Sequence, residues 1–180
     1  IFASVLLTKY FIYMFLSPWN EVKVEQRKQL VLKNKSSKPY DPTVSVIVPA
    51  WNEEHGLITT VETLLKSTYT NMEIIIVDNA SVDNTAKNIM VHIDQYIRSQ
   101  KQIPEKERIR VKYFFEGKQG KGHALNTGLI HSTGEIIISI DADCFVPPDT
   151  IQNFVYHFQD PTVMAAVGNV RIGNTDTILG

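Results

Sequence analysis

A strand, a helix and a second strand can be read from the stretch Val44–Asp78, VSVIVPAWNEEHGLITTVETLLKSTYTNMEIIIVD. The apolar runs VSVIV at 44–48 and EIIIV at 73–77 have the length and the β-branched content of buried strands. Between them, apolar side chains recur at helical spacing, which predicts a helix over 53–67. Because a helix connects the two strands, we expect them to lie parallel in one sheet.

The same alternation of strands and helices continues downstream. It predicts helices over 83–99, 121–132 and 149–158, and strands over 108–115, 135–140 and 163–171. This order predicts an α/β fold, in which helices cover both faces of a mainly parallel sheet. Strands that are apolar almost throughout fit a sheet that is buried on both faces.

Composition excludes several classes of protein. The chain has 180 residues, of which 43% are hydrophobic and 21% charged, so it is not a disordered protein. A formal net charge of −1 gives no overall attraction to nucleic acid, which is not expected as a partner. Cys144 is the single cysteine of the sequence, so neither an internal disulfide nor a zinc site of spaced cysteines is possible.

The first residues suggest a membrane anchor. The run Ile1–Leu16 is apolar, and we interpret residues 1–19 as the C-terminal part of a transmembrane helix. Residues 20–42 form a basic linker, which favours the cytoplasmic side and contact with membrane lipid. The expected location is the cell membrane, with the domain at 43–180 in the cytoplasm. A buried core helix or a signal peptide is the alternative interpretation of the apolar run.

Acidic residues follow several of the predicted strands. Ligands of open parallel sheets bind at the carboxyl ends of the strands, so these residues are the candidates for a site. Asp141 and Asp143 come directly after the strand at 135–140, and in extended backbone their side chains would point the same way. Such a pair, together with substrate phosphates, is a usual way to hold Mg²⁺ or Mn²⁺. Turn residues that cap the strand are the alternative.

Two further features of the sequence are compatible with nucleotide binding. The segment GKQGKG at 117–122 matches neither a Walker A nor a dinucleotide-binding motif, yet its lysines could meet a diphosphate at a helix N-terminus. A surface turn with solvated lysines explains it equally well. Asp78, at the end of the second strand, could accept a hydrogen bond from a ring N–H of the kind that uracil offers, or could serve a turn.

Four motifs in this order resemble family 2 glycosyltransferases, which have the GT-A (Rossmann-like) fold. They are VSVIVPAWNEE at 44–54, IIIVDNASVDNT at 74–85, GKGHALNTGL at 120–129 and ISIDAD at 138–143. The segment AVGNVRIGN at 166–174 resembles the membrane-bound processive branch, and is most similar to poly-β-1,6-N-acetylglucosamine synthases.

The resemblance implies roles for individual residues. It implies a nucleotide-sugar pocket lined by Ala50, Asn52, Glu53, Asp78, Lys121 and Asp141. Within this pocket Asp78 would hold uracil, Lys121 would lie near the diphosphate, and Asp143 together with Asp141 would bind the metal. The family usually has a second acid and then glycine where this chain has Asn79-Ala80, so Asn79 lacks the negative charge that is usual at this position.

The resemblance also implies a reaction. A sugar, expected to be N-acetylglucosamine, would pass from a UDP-sugar to a growing polysaccharide with inversion and with a divalent cation. The general base and the product-gripping motif of the family have no match in these residues, so we interpret the sequence as truncated and expect it to be inactive alone. The alternatives are a non-processive transferase with a lipid-phosphate acceptor, a sugar nucleotidyltransferase and a non-catalytic nucleotide-sugar-binding module.

Overall fold

The computed structural model describes residues 7–13, 40–104 and 108–170. The strands are β1 (Val44–Ala50), β2 (Met72–Asp78), β3 (Arg110–Phe115) and β4 (Ile136–Ser139). The helices that follow them are α1 (Gly56–Leu65), α2 (Thr85–Ser99), α3 (Lys121–Ile130) and α4 (Thr150–His157), and a 3-10 turn at Gln100–Gln102 extends α2. Residues 7–13 are helical as well.

The four strands form one parallel sheet in the order β3-β2-β1-β4. Val46, at the centre of β1, pairs with Ile74 of β2 and with Ile138 of β4. The predicted mainly parallel α/β sheet is therefore confirmed. All four strands run in one direction, so their carboxyl ends meet along one edge of the sheet.

Helices bury the sheet on both faces. The larger cluster combines alternate strand residues with residues of α1, α2 and α4, and its buried members include Val46, Val48, Ile74, Ile76, Leu57, Val61, Ile89 and Ile151. The intervening strand residues face the other way and pack with α3, in a cluster of Ile47, Ile75, Val77 and Ala124. Two-sided burial explains why β1 and β2 lack the polar alternation of a half-exposed strand.

A buried carboxylate lies near the start of β2, at the opposite end of that strand from Asp78. Glu73 is 1% exposed, and its Oε1 accepts hydrogen bonds from Ser45 Oγ at 2.7 Å and from the backbone N–H of Thr133 at 2.8 Å. Its Oε2 lies 2.8 Å from Lys112 Nζ. Burial raises the pKa of Glu73, but the bonds to Lys112, Ser45 and Thr133 outweigh burial and lower it to about 2.

The predicted strand at 163–171 is wrong for the residues that the structure describes. Residues 163–170 have no regular secondary structure, and the side chains of Met164, Val167 and Val170 are exposed. A short run of apolar residues suggested a strand, but a strand also needs a neighbour with which to exchange hydrogen bonds. The sheet order gives this segment no such neighbour.

Most of the predicted membrane anchor lies outside the described residues, and so does the basic linker up to residue 39. Within the described parts of the chain, no helix is both long and apolar enough to cross a bilayer. The anchor and the linker therefore stay predictions.

Candidate functional site

A cleft of about 570 Å³ opens at the carboxyl ends of the strands. It is lined by Pro49, Ala50, Trp51, Glu53, Asn79, Gln119, Gly120, Lys121, Asp141, Ala142 and Asp143. The structure thus brings together five of the seven residues predicted from the sequence. Asn52 and Asp78 do not line the cleft but lie beside it in the chain, while Asn79 and Gln119 line it without having been predicted.

Asn52 connects the loops that follow β1 and β2. Its backbone has a positive φ of 55°, a conformation that asparagine tolerates better than most residues. Its Oδ1 accepts a hydrogen bond from the N–H of Val82 at 2.9 Å, and its own N–H donates to Ser81 Oγ at 3.0 Å. The side chain of Asn52 therefore braces the neighbouring loop.

Two consecutive hydrogen bonds through Thr85, the first residue of α2, position Glu53. Its backbone N–H donates to Thr85 Oγ1 at 2.8 Å, and the Thr85 hydroxyl donates in turn to Asp83 Oδ1 at 2.5 Å. Burial raises the pKa of the Glu53 carboxyl, and the nearby charges of Asp143 and Asp83 raise it further. Glu53 therefore lies in a negative field that a bound cation would relieve.

Asp78 is buried at the end of β2, with 1% of its surface exposed. Its Oδ1 accepts a hydrogen bond from the N–H of Ser81 at 3.0 Å, and its Oδ2 accepts one from the Tyr113 hydroxyl at 2.9 Å. Burial together with the hydrogen bond and charge of Asp78 raises the pKa of Tyr113. Two carboxylate oxygens have about four acceptor positions, so Asp78 keeps acceptor capacity beyond these bonds.

Asn79 joins β2 to the glycine-rich loop. Its Oδ1 accepts a hydrogen bond from the N–H of Gly120 at 2.6 Å, and its Nδ2 donates to the carbonyl of Lys118 at 2.7 Å. Gly120 has a φ of 131°, which favours glycine, and α3 begins at the next residue. Asn79 therefore holds the backbone that leads into α3 and Lys121.

Lys121 and Asp141 meet across the cleft. Lys121 Nζ lies 2.5 Å from Asp141 Oδ1, and 60% of the lysine side chain and 54% of the aspartate side chain are exposed. Such an exposed pair is stabilised only weakly, because water screens both charges. A ligand that carries phosphates could therefore take over Lys121 at little energetic cost.

Asp141 and Asp143 lie in a turn and not in extended backbone as predicted. β4 ends at Ser139, and the N–H of Cys144 donates to the carbonyl of Asp141 at 3.3 Å. Ala142 between them is buried, whereas both aspartates are exposed to the cleft. The turn thus presents both carboxylates at one edge of the sheet, which is the arrangement that the extended backbone was expected to provide.

The residues of the cleft suit Mg²⁺ or Mn²⁺. In the described parts of the chain no three His, Cys, Asp or Glu side chains form a ready-made metal cage. These cations, however, are commonly bound by one or two carboxylates together with substrate phosphates. Asp141 and Asp143 supply such oxygen donors, and the charge of Asp143, after burial, is one of the causes that raise the pKa of Glu53. The donor set therefore fits a hard divalent cation that arrives with a phosphorylated ligand.

Comparison with known proteins gives the family. Residues 45–179 match Glycosyl transferase family 2. This chain belongs to glycosyl transferase family 2. The match contains all eleven residues that line the cleft.

Curated family 2 relatives are considerably longer than this chain. Over 137 residues the chain is 33% identical to an uncharacterized glycosyltransferase of Nostoc sp.. This alignment covers 75% of this chain and 39% of that protein. Over 143 residues it is 28% identical to the hyaluronan synthase of Streptococcus pyogenes. This alignment covers 79% of this chain and 33% of the synthase. Similarity to poly-β-1,6-N-acetylglucosamine synthases is not shown and stays a prediction.

Solved structures of similar proteins agree with the fold. The mannosyltransferase PcManGT from Pyrobaculum calidifontis, solved in complex with GDP-Man and Mn²⁺, superposes with a TM-score of 0.60 at 29% identity, over 84% of this chain and 44% of that one. TarS of S. aureus, residues 1–349 in complex with UDP, gives a TM-score of 0.52 at 23% identity, over 66% and 32% of the two chains. The second likeness shows the fold alone.

Proposed function

We propose that this chain is the donor-binding part of a metal-dependent glycosyltransferase. Its donor is a UDP-sugar, expected to be UDP-N-acetylglucosamine, and its acceptor is a growing polysaccharide. The observation that carries the proposal is the cleft itself, because Ala50, Glu53, Lys121 and the two aspartates converge there from three separate loops. Family membership and the similar mannosyltransferase in complex with GDP-Man and Mn²⁺ support a nucleotide-sugar donor and a divalent cation.

We assign different parts of the donor to the residues of the cleft and to Asp78 beside it. Asp78, with acceptor capacity left at the end of β2, would accept a hydrogen bond from the uracil ring. Lys121 would exchange its exposed partner Asp141 for the diphosphate. Asp143 and Asp141 would hold the cation, which when bound supplies positive charge that stabilises the departing diphosphate.

The proposed reaction inverts the anomeric carbon. An acceptor hydroxyl attacks this carbon from the face opposite the diphosphate, the new glycosidic bond forms as the bond to the diphosphate breaks, and a general base takes the hydroxyl proton. The four carboxylates assigned above, Glu53, Asp141 and Asp143 of the cleft and Asp78 beside it, all have roles on the donor side. The similarity to hyaluronan synthase supports a polysaccharide acceptor.

The membrane location is part of the proposal and rests on the sequence. An apolar run at 1–16 precedes six basic residues between 23 and 38. An integral anchor would keep the protein in the membrane fraction after a carbonate wash, whereas release by carbonate would contradict it. Protease added to intact cells should leave a cytoplasmic domain uncut.

Calorimetry with UDP and Mn²⁺ tests the proposed function. The wild-type chain should bind UDP when Mn²⁺ is present and lose this affinity in EDTA, and Asp143→Ala should abolish the cation-dependent part. Asp94→Ala, an exposed aspartate of α2 outside the cleft, is the matched control and should bind as the wild type does. Equal UDP affinity in EDTA, or unchanged affinity in Asp143→Ala, would show that the cation is not held as proposed.

A further inference from the structure

The segment that carries Asp143 has no regular secondary structure of its own. Residues 140–149, between β4 and α4, form turns and irregular backbone. An irregular segment keeps one shape only if neighbouring elements satisfy its backbone polar groups. Helix α1 supplies several of these partners, although it lies about eighty residues earlier in the chain.

Thr60 of α1 makes the central contacts. Its hydroxyl lies 2.8 Å from the carbonyl oxygen of Ala142 and 2.8 Å from the carbonyl oxygen of Cys144, so one proton is shared between two acceptors. These two carbonyls lie on either side of Asp143 in the chain. Thr60 is fully buried, with 0% of its surface exposed. A buried threonine in a helix often bonds to a carbonyl of its own helix, whereas this hydroxyl points across to the segment beyond β4.

Two more residues of α1 continue the contact along the same face. Gly56, Thr60 and Thr63 are spaced by four and three residues, so they lie on one side of the helix. The Thr63 hydroxyl oxygen accepts a hydrogen bond from the N–H of Val146 at 3.2 Å. A Cβ added at Gly56 would lie 2.9 Å from Glu53 Oε2, 3.2 Å from the Ala142 carbonyl oxygen and 3.3 Å from the Cα of Asp143, so the segment packs closely against the helix.

We propose that Thr60 is a positioning residue for Asp143: its buried hydroxyl fixes the backbone on both sides of this aspartate and so holds the carboxylate ready for the cation that accompanies the donor. Gly56 and Thr63, about one turn of α1 before and after Thr60, lie against the same segment. The inference rests on the proposed function, since it concerns the affinity of the cleft for a cation with a nucleotide. Residues that orient a metal ligand commonly change metal affinity as strongly as 10- to 100-fold when they are replaced.

Three substitutions on α1 separate this role from mere stability. Thr60→Val keeps the shape of the side chain but removes the donor, and should weaken Mn²⁺-dependent UDP binding by roughly 10- to 100-fold. Thr60→Ser restores the hydroxyl and should bind nearly as the wild type does. Thr59→Val makes the same chemical change at the exposed neighbouring threonine and should leave binding unchanged.

Two other variants distinguish a loss of folding stability from a displacement of the segment that carries Asp143. Val61→Ala removes core packing beside Thr60 but changes none of the hydrogen bonds of Thr60 and Thr63, so it should lower the melting temperature and leave UDP affinity intact when measured well below that temperature. Gly56→Ala keeps both threonine hydroxyls but places a methyl group against Glu53, Ala142 and Asp143, so it should weaken binding although alanine is the better helix former.

Hydrogen exchange without any ligand gives a readout that does not depend on the cation. Peptides that cover residues 141–148 should exchange faster in Thr60→Val than in the wild type or in Thr60→Ser. If Thr60→Val shows wild-type exchange and wild-type Mn²⁺-dependent UDP binding, the inference is overturned. If the wild type itself shows no cation-dependent binding, the proposed function fails, while the exchange of this segment still decides whether Thr60 holds it.

Discussion

The side chain of Asn79 and the backbone of Gly120 are joined by a hydrogen bond of 2.6 Å, in which the Gly120 N–H donates to Asn79 Oδ1. The other end of the same amide donates to the carbonyl of Lys118. The single side chain therefore uses an acceptor and a donor together to fix the loop before α3. An aspartate, which is the usual residue here in the resembling family, could accept the first bond but could not donate the second.

Asn79→Asp should therefore loosen the glycine-rich loop. A carboxylate oxygen would face the Lys118 carbonyl, and the loss of this partly buried hydrogen bond should cost about 1 kcal/mol of folding stability. UDP affinity should fall as well, because Lys121 follows this loop directly. Urea unfolding and calorimetry measure the two effects. Asn126→Asp, on an exposed position of α3, is the matched control, and equal behaviour of the two variants would remove the special role of Asn79.

Asp78 should make the cleft select uracil. The wild type should bind UDP more tightly than GDP, and Asp78→Ala should weaken UDP binding by about 1–3 kcal/mol through the loss of a ring N–H acceptor. Tyr113→Phe removes one donor to Asp78 but leaves its carboxylate in place, so the preference for UDP should persist. Competition between UDP and GDP measures this preference. Equal competition by the two nucleotides in the wild type would refute the assignment.

Lys121 should contribute to diphosphate binding with a clear dependence on salt. Its partner Asp141 is about half exposed, so breaking their ion pair costs little. Lys121→Gln should weaken UDP binding roughly tenfold, as expected when a charged hydrogen bond is lost, and added salt should affect the variant less than the wild type. Lys118→Gln, an exposed lysine of the same loop that does not line the cleft, is the control. Equal losses in both variants would mean that only the total positive charge of the loop matters.

Much of the fold follows from apolar periodicity alone. The runs at 44–48 and 73–77 are too short for helices and too apolar for half-exposed strands, and they form the two central strands of the sheet. The same signal fails over 163–170, because a short apolar run does not say whether a neighbouring strand is present.

The sequence predicts which residues come together in the site where their position depends only on the end of a parallel strand. Glu53, Lys121 and Asp143 come together because the strands before them are parallel and end at one edge. Side-chain directions depend on local backbone that periodicity does not report, such as the positive φ that turns Asn52 toward Val82. The contact of Thr60 with Ala142 spans 82 residues, and no local pattern in the sequence indicates it.

Glu73 should make the fold sensitive to acid. Its pKa is lowered to about 2 in the folded protein, below the ordinary value of 4.5 that applies when the chain unfolds. The unfolded state therefore binds the proton more readily, so the stabilisation by this carboxylate is fully present above pH 4.5 and is lost as the pH falls toward 2. A difference of this size corresponds to roughly 3 kcal/mol at neutral pH.

Glu73→Gln measures that contribution. The free energy of unfolding in urea should be lower than in the wild type at pH 7, and the difference should shrink between pH 4.5 and pH 2, because the wild-type carboxylate then becomes neutral too. Asp94→Asn, at an exposed position of α2, should follow the wild-type curve throughout. A difference between Glu73→Gln and the wild type that stays constant across this range would show that Glu73 stabilises the sheet through shape and neutral hydrogen bonds, and that its charge beside Lys112 contributes nothing to the pH dependence.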